Sequence, residues 1–392
     1  MKKWVKRIAL VISVFVCLAA AGAFFVAHTA GKSVPRSQAL KGVPQSLHGD
    51  TNILLLGLDS RRANDGSDLP RKLLDLLHVG SSSEVGGYNT NTMILIHIPA
   101  NGSKAVAISI PRDDYVAVPG LGMKKIKEAY GLVKYTAETK LVKQGVPNPQ
   151  REFLSRESGR AATIATIHDL LGVPIDHFAE VNLVGFYDLA TALGGVQVCL
   201  KHAVNDSQYS GAVFPAGLQT ITGADALKFV RQRHGLPEGD LDRTHRQQAF
   251  ITGVITKFRS EGIFGDLGKI SALLNVAKKD VVIDSGWDVL GFLPEARSLT
   301  GGHITFYTLP IEGFASRNGQ SVNLVDPVKV KAFVQSVFNP PKATPTPSSS
   351  SASIGATGST GVGAVAPKPK PVNLAENASG VPVQGGKIPC VN

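Results

Sequence analysis

The run from Ile8 to Ala27 carries no charged residue and follows directly on Lys2, Lys3, Lys6 and Arg7. It is long enough to cross a bilayer as a single helix. One end of the chain is therefore committed to a membrane, and whatever folds must do so on one side of it. Because the basic flank precedes the run, the positive-inside rule puts residues 1–7 in the cytoplasm, the helix at 8–27, and the rest outside the cell. Cleavage as a signal peptide competes with this reading, since Ala19 to Ala23 supplies small residues. The length of the run and the pair Phe24-Phe25 favour retention as a single-pass anchor.

Export sets the reading of the cysteines, because disulfides persist outside the cytoplasm. Cys17 lies within the apolar run with no lipobox around it and is expected to be inert. Cys199 and Cys390 then remain, either to pair or to stay as two free thiols. A bridge between them would clip the end of the chain back onto the domain.

Residues 28–49 are small, polar and proline-containing, the character of a stalk. From Asn52 to Leu58 the chain turns apolar and stops at Asp59, as a buried strand opening into a loop does. Thr92–Ile98 and Lys104–Ile110 read as further strands. The glycine-rich segment Arg61–Gly87, between the strand at Asn52–Leu58 and the one at Thr92–Ile98, reads as a long functional loop. Downstream, helical spacing over Gly159–Leu171, a strand over His177–Leu183, a helix over Phe186–Leu193 and a strand over Gly195–Leu200 alternate. Ala224–Arg233 and Leu241–Ser260 read as helices, the second capped by Asp240, followed by a helix at 287–298, a strand at 303–310 and a helix at 326–338. The pattern predicts an α/β domain over residues 50–340, with a central mixed sheet flanked by helices. Residues 341–392, rich in proline, serine, threonine and glycine, read as a disordered tail.

The chain has no G-x-S-x-G elbow, no H-E-x-x-H, no Walker loop and no C-x-x-C pair, and its ten histidines show no ligand spacing. Its net charge of +11 favours anionic partners without choosing among them. What stands out is the stretch from Phe229 to Gln248. Arg231 and Arg233 sit where one helix ends, and Arg243, Arg246 and Gln247 fall at i, i+3 and i+4 on the next. Guanidinium forks match phosphate oxygens and keep their charge, and a helix N-terminus favours the same anion. Arg112 ends one strand and the Asp59-Ser-Arg61 triplet ends another, so both are expected at the sheet edge where α/β ligands bind. The plainer alternative is that Asp240 and Asp242 cap the helix and pair with the arginines on a solvated surface.

At this point the sequence resembles a family. Asn52-Ile-Leu-Leu-Leu-Gly-Leu-Asp-Ser-Arg61, Asn91-Thr-Met-Ile-Leu-Ile-His-Ile98, Ile108-Ser-Ile-Pro-Arg-Asp113, Gly185-Phe-Tyr-Asp-Leu-Ala-Thr-Ala-Leu-Gly-Gly-Val196 and the stretch from Val230 to Gln248 resemble, in order, the signature blocks of the LytR-CpsA-Psr family. The glycine- and alanine-rich character and the Ile-Pro-Cys-Val-Asn392 ending look like its actinobacterial members. The resemblance implies a phosphotransferase on the outer face of the membrane that moves a glycopolymer from a polyprenyl pyrophosphate carrier onto peptidoglycan. It also implies an apolar groove for the lipid and a Mg²⁺ or Mn²⁺ ion. By position, Asp59 would bind the metal, and Arg61, Arg112, Arg231 and Arg233 the pyrophosphate. Asp240 and Arg243 would support that grip, with Gln247, Arg246 and Asp113 beside it.

One departure bears on the metal. Where the family commonly shows Arg-Ser-Asp-Thr, this chain has Asn89-Thr-Asn-Thr92, so an amide oxygen of Asn91 stands where a carboxylate is expected and should hold the ion more weakly. Asp113, Asp65 or Asp68 is the compensating acid this reading names, and Asp113 or Asp240 the acceptor of the attacking hydroxyl's proton. The alternative from another class is a noncatalytic, regulatory module that binds wall polymer, which the Asn91 replacement favours. Nucleic acid is not an expected partner: a domain exported past a membrane helix meets no chromosome, and no aromatic platform accompanies the basic residues.

Overall fold

The computed structural model describes residues 34–340, apart from 48, 81–86, 264–265, 290, 293 and 297–303, together with 383–384 and 388–392. The apolar run at 8–27 and most of the predicted tail lie outside the described residues. Among the described residues, no helix is long and apolar enough to cross a membrane.

In chain order the elements are β1 (Arg36–Ser37), β2 (Thr51–Asp59), α1 (Arg71–Leu76), β3 (Asn89–Ile98), β4 (Ala105–Ser109), the hairpin β5 (Tyr115–Val118) and β6 (Gly122–Lys125), α2 (Glu128–Lys143) and α3 (Gln150–Leu171). Then come β7 (His177–Asn182), α4 (Leu183–Ala192), β8 (Val196–Leu200), the hairpin β9 (Val204–Asp206) and β10 (Ala212–Phe214), β11 (Gly217–Ile221), α5 (Gly223–Arg231), α6 (Asp240–Ser260) and α7 (Leu267–Asp280). The chain closes with β12 (Val281–Asp284), β13 (Ile304–Thr308), the hairpin β14 (Gly313–Arg317) and β15 (Gln320–Leu324), α8 (Pro327–Phe338), β16 (Val383–Gln384) and β17 (Cys390–Val391).

Eight strands form one mixed sheet in the order β1-β12-β7-β2-β3-β4-β13-β16. β2 runs parallel to β7 and antiparallel to β3, and β4 runs antiparallel to β3 and parallel to β13. β2 and β4 thus end at the same edge, which is what brings their C-terminal loops together. Alternation along the strands splits the apolar side chains between two faces. Leu54, Leu56, Leu95 and Ile108 pack under α3 and α8, against Ile164, Ile167, Phe333 and Val334. Ile53, Ile94, Ile96 and Phe306 face the other way, toward Ile251 and Ile255 of α6. A separate core gathers α1, α4, α5 and α6 around β8 and β11.

Several local expectations are corrected. The segment read as one long loop contains α1, a single short helix with no side-chain cap to announce it. The stalk joins the sheet, since β1 pairs with β12 and Val34 is buried. Near the end of the chain, β16 pairs with β13 and β17 with β8, so the tail is not without structure throughout. Cys199 and Cys390 form a disulfide, which holds β17 in place. Of the helix expected at 287–298, the described part is a turn closed by the Phe292 N–H on the Asp288 carbonyl, then Pro294–Ala296.

Candidate active site

β2 ends at Asp59 and β3 begins at Asn89, so the antiparallel pair delivers both to one edge. Between Gly57 and Leu58 the register slips: Gly57 faces Thr92 and Leu58 faces Thr90, and Asn91 is passed over. A bulge re-aims the extra residue's side chain. Gly57 permits the close approach, since a Cβ there would lie 2.8 Å from the Cβ of Thr92. Asn91 is thereby set between an acid and a base. Its Nδ2 donates to Asp59 Oδ2 at 2.8 Å, and its Oδ1 accepts from Arg112 Nη1 at 2.9 Å.

The contacts continue on both sides of this amide. Arg61 Nη1 donates to Asp59 Oδ1 at 3.0 Å. Arg112 Nε stands 3.0 Å from Asp240 Oδ1 and 3.5 Å from Asp113 Oδ2, as ion pairs without the alignment of hydrogen bonds. Asp240 Oδ2 accepts from Arg243 Nη2 at 3.0 Å, and that same nitrogen donates to the Asn91 carbonyl at 3.2 Å. Asp113 is held by Lys127 at 2.7 Å and Lys125 at 3.2 Å.

α6 is the element that places Arg243 here. One turn further along, Gln248 Nε2 donates to Ser109 Oγ, Thr308 Oγ1 and the Tyr307 carbonyl, at 3.0, 3.1 and 3.3 Å, pinning the helix to the ends of β4 and β13. Asp240 does not cap α6. Gly239 occupies that position with φ at 56°, and Asp240, as the first helical residue, turns its carboxylate onto the two arginines instead. Asp242 is turned back, accepting from the Glu238 N–H at 2.9 Å.

Arg231, the last residue of α5, donates to the carbonyls of Leu77 and His78 at 3.4 and 3.3 Å, just past α1. Burial lowers the pKa of its guanidinium, and Arg61 and Arg233 add to the effect against the pull of Asp59. Arg243 is pushed down to about 10 by burial and by Arg112 and Arg233, with Asp240 and Asp113 opposing. Arg233 therefore acts on both groups and joins them electrostatically. For Asp113, burial alone would raise the pKa, but Arg112, Lys127 and Lys125 bring it to about 2. A carboxylate held that firmly is a weak base, so the expected role of Asp113 as proton acceptor does not suit its surroundings.

The guanidinium groups of Arg61, Arg112 and Arg243 are thus in contact with the carboxylates of Asp59, Asp113 and Asp240, while Arg231 and the exposed Arg233 act on them electrostatically from beside this contact chain. The Nε atoms of Arg61, Arg112 and Arg243 are buried with no hydrogen-bond partner among the described residues. Buried donors normally find acceptors. An arrangement with cationic donors to spare is matched by an anion with several oxygens.

The residues present do not fit a two-carboxylate cation seat. Asn91 has its amide nitrogen toward Asp59, and turning it over would set the NH₂ against Arg112, which offers only donors. Asp65 is occupied by Ser67, and Asp68 pairs with Arg62 at 3.4 Å, so neither supplies the missing acid.

A model of the LytR_cpsA_psr family matches residues 24–337. The chain belongs to the LytR_cpsA_psr family. It is 41% identical to the cell wall biosynthesis protein LcpA of Corynebacterium glutamicum over 300 residues, an alignment that covers 76% of this chain and 57% of LcpA. The chain therefore spans less than two thirds of that relative. It is 31% identical to the polyisoprenyl-teichoic acid–peptidoglycan teichoic acid transferase TagU of Oceanobacillus iheyensis, covering 69% of this chain and 68% of TagU. Its fold is shared with the protein gbs0355 of Streptococcus agalactiae, at a TM-score of 0.54 and 22% identity over 74% of this chain and 88% of that one. It is also shared with TagT bound to LI-WTA, at 0.51 and 21% over 77% and 98%.

Of the residues the LytR_cpsA_psr resemblance implied, four lie apart from the contact chain: Arg231, which holds the backbone after α1, the exposed Arg233, and Gln247 and Arg246. Gln247 donates to the Val230 carbonyl at 3.4 Å, tying α6 to α5. Arg246 is fully buried and turned away: its Nε donates to the Asn392 oxygen at 2.6 Å, and its guanidinium lies 5.0 Å from the centre of the Phe229 ring. Helical spacing put it beside Arg243, but β17 covers that flank of α6. Sequence reasoning missed Lys125, Lys127, Gly57 and Gln248. The run Lys124-Lys125-Ile126-Lys127 was a legible basic signal, whereas the need for Gly57 shows only in the strand register.

Proposed function

We propose that this chain is a membrane-anchored phosphotransferase that moves a glycopolymer from a polyprenyl pyrophosphate carrier to peptidoglycan on the outer face of the membrane. The observation that carries this reading is the set of buried guanidinium groups of Arg61, Arg112 and Arg243, with the Nε donors of Arg61 and Arg243 left without a partner among the described residues. The names borne by LcpA and TagU point the same way, and the charge-free run 8–27 after a basic flank supports the anchor and its orientation.

In this reading the acceptor hydroxyl oxygen bonds to the phosphorus that bears the glycopolymer. The bond from that phosphorus to the bridging oxygen breaks, polyprenyl phosphate leaves with the electron pair, and the hydroxyl proton passes to solvent. Charge accumulates on the leaving phosphate, where Arg231, Arg233 and Arg243 would stabilise it, while Arg61 and Arg112 orient the phosphoryl group. If Mg²⁺ or Mn²⁺ takes part, it would neutralise phosphate charge, and Asp59 is the carboxylate that would hold it.

The test is a transfer assay with a lipid-pyrophosphate-linked glycopolymer and peptidoglycan. The wild type should release polyprenyl phosphate, and Arg233→Ala should lower turnover by roughly 10²–10³-fold. Turnover retained in Arg233→Ala would sink the site assignment. Tight polymer binding by the wild type with no turnover would favour the noncatalytic reading, to which Asn91 lends support.

A further inference from the structure

Beside the arginine cluster a cavity of about 540 Å³ opens between the end of β2, the start of β3 and α2. Its volume is in the range of small-ligand sites. Arg61 is shared with the cluster, and the rest of the wall includes Arg62, Asn89, Glu128, Lys134, Tyr135 and Glu138. We propose that this cavity seats a sugar residue of the acceptor glycan, and so sets which hydroxyl meets the phosphorus. The proposal rests on the transferase reading above and extends it to the second substrate.

Charge separates this cavity from its neighbour. The arginine cluster has cations in excess, whereas here most charges are already matched: Lys134 lies 2.9 Å from both Glu138 and Glu152, and Arg62 pairs with Asp68. A matched lining gives little pull on a polyanion and leaves polar atoms that suit a neutral, hydroxylated ligand. One group stays open among the described residues: the part-buried Glu128 carboxylate has no hydrogen-bond or ion-pair partner. A sugar hydroxyl donates to such a carboxylate.

The apolar requirement is met at the rim. Tyr135 is 71% exposed although it lines the cavity, and Leu132 beside it is also exposed. A tyrosine ring with a free face stacks on the C–H face of a pyranose, and its hydroxyl stays wet. The back wall is rigid. Tyr88 donates to Glu152 at 2.5 Å, with Lys134 4.3 Å from its ring centre. Gly131 lets α2 lie against that wall, because a Cβ there would come 3.3 Å from the Tyr88 carbonyl oxygen.

The experiment measures transfer by the full-length chain to a soluble, peptide-free peptidoglycan glycan fragment, with release of polyprenyl phosphate to water followed in parallel without acceptor. Glu128→Gln should raise the acceptor KM roughly tenfold and Tyr135→Ala roughly three- to tenfold. In both variants the KM for the lipid-linked donor and the rate of release to water should match wild type. Both positions lie at the cavity surface, so melting temperatures should stay within about 2 °C of wild type. An unchanged acceptor KM with normal release overturns the cavity assignment alone. A raised donor KM with unchanged acceptor KM gives the cavity to the donor's own sugars and also overturns it. A wild type that releases no polyprenyl phosphate at all defeats the transferase reading instead.

Discussion

Two groups of buried arginines lie in this domain, one along α3 and one around the start of α6, and they meet opposite electrostatic conditions. On α3, Arg160 grips Glu180 with two nitrogens, at 2.8 and 2.9 Å, and reaches Glu157 with a third at 2.8 Å. Arg156 binds Glu152 at 2.9 Å and Asn64 at 2.6 Å. Burial works against both charges, yet Glu180, Tyr130 and Glu152 around them raise their pKa values above the ordinary arginine range. At α6 burial and neighbouring guanidinium groups act in the same direction, and Arg243 is held down at about 10. The first group is complete within the protein. The second is incomplete without an anion, and that difference separates arginines that hold the fold from arginines poised for a ligand.

The comparison breaks most readily at Arg160. Arg160→Ala should cost about 3–5 kcal/mol of stability in urea denaturation, because it strands the buried Glu180. Arg243→Ala should instead lower turnover by roughly 10²–10³-fold, about 3–4 kcal/mol, while the melting temperature stays level or rises as like charges separate. If Arg243→Ala destabilises as much as Arg160→Ala, the two groups do not differ in kind.

A smaller effect concerns acid. Asp113 has its pKa lowered from an ordinary 3.8 to about 2, so its contribution to stability is present above pH 4 and is lost as pH falls through 2. Wild type should lose on the order of 2 kcal/mol more than Asp113→Asn between pH 4 and pH 2, read as the difference between their denaturation curves. Equal slopes would mean that Lys125 and Lys127 do not hold this carboxylate. The smallest change is Asn91→Asp, which sets a second carboxylate beside Asp59. Mn²⁺ binding, titrated by electron paramagnetic resonance, should tighten by roughly tenfold. Identical curves for the two proteins would show that the amide is not what limits cation affinity.

How much could be read in advance depended on the kind of element. β2, β3, β4 and β13 are short apolar runs bounded by polar residues, and such runs are visible without partners. α2 was not. It buries Ala129, Tyr130 and Lys134, and a lysine on a core face hides the apolar stripe that periodicity looks for. Lys134 is tolerated there only because Glu138 and Glu152 meet it, one of them from another helix. The end of the chain was read as tail, although a Cys199–Cys390 bridge clipping it onto the domain was one of the two fates offered for those cysteines. Composition gives residues 388–392 no core of their own, and they are ordered through β8 and the bridge to Cys199.

In the site, the sequence by itself determined the stock of groups: guanidinium side chains at the ends of strands and helices, with too few acids to neutralise them. Residue type and spacing are enough for that, because charge is a property of the side chain. Tertiary structure decided which arginines meet. It took Arg246 away beneath β17, kept Arg243 by anchoring Gln248, and swung Asn91 out on a bulge to link Asp59 with Arg112. Those outcomes rest on strand register and on which helix flank is covered, and neither is written in the spacing of residues along a single element.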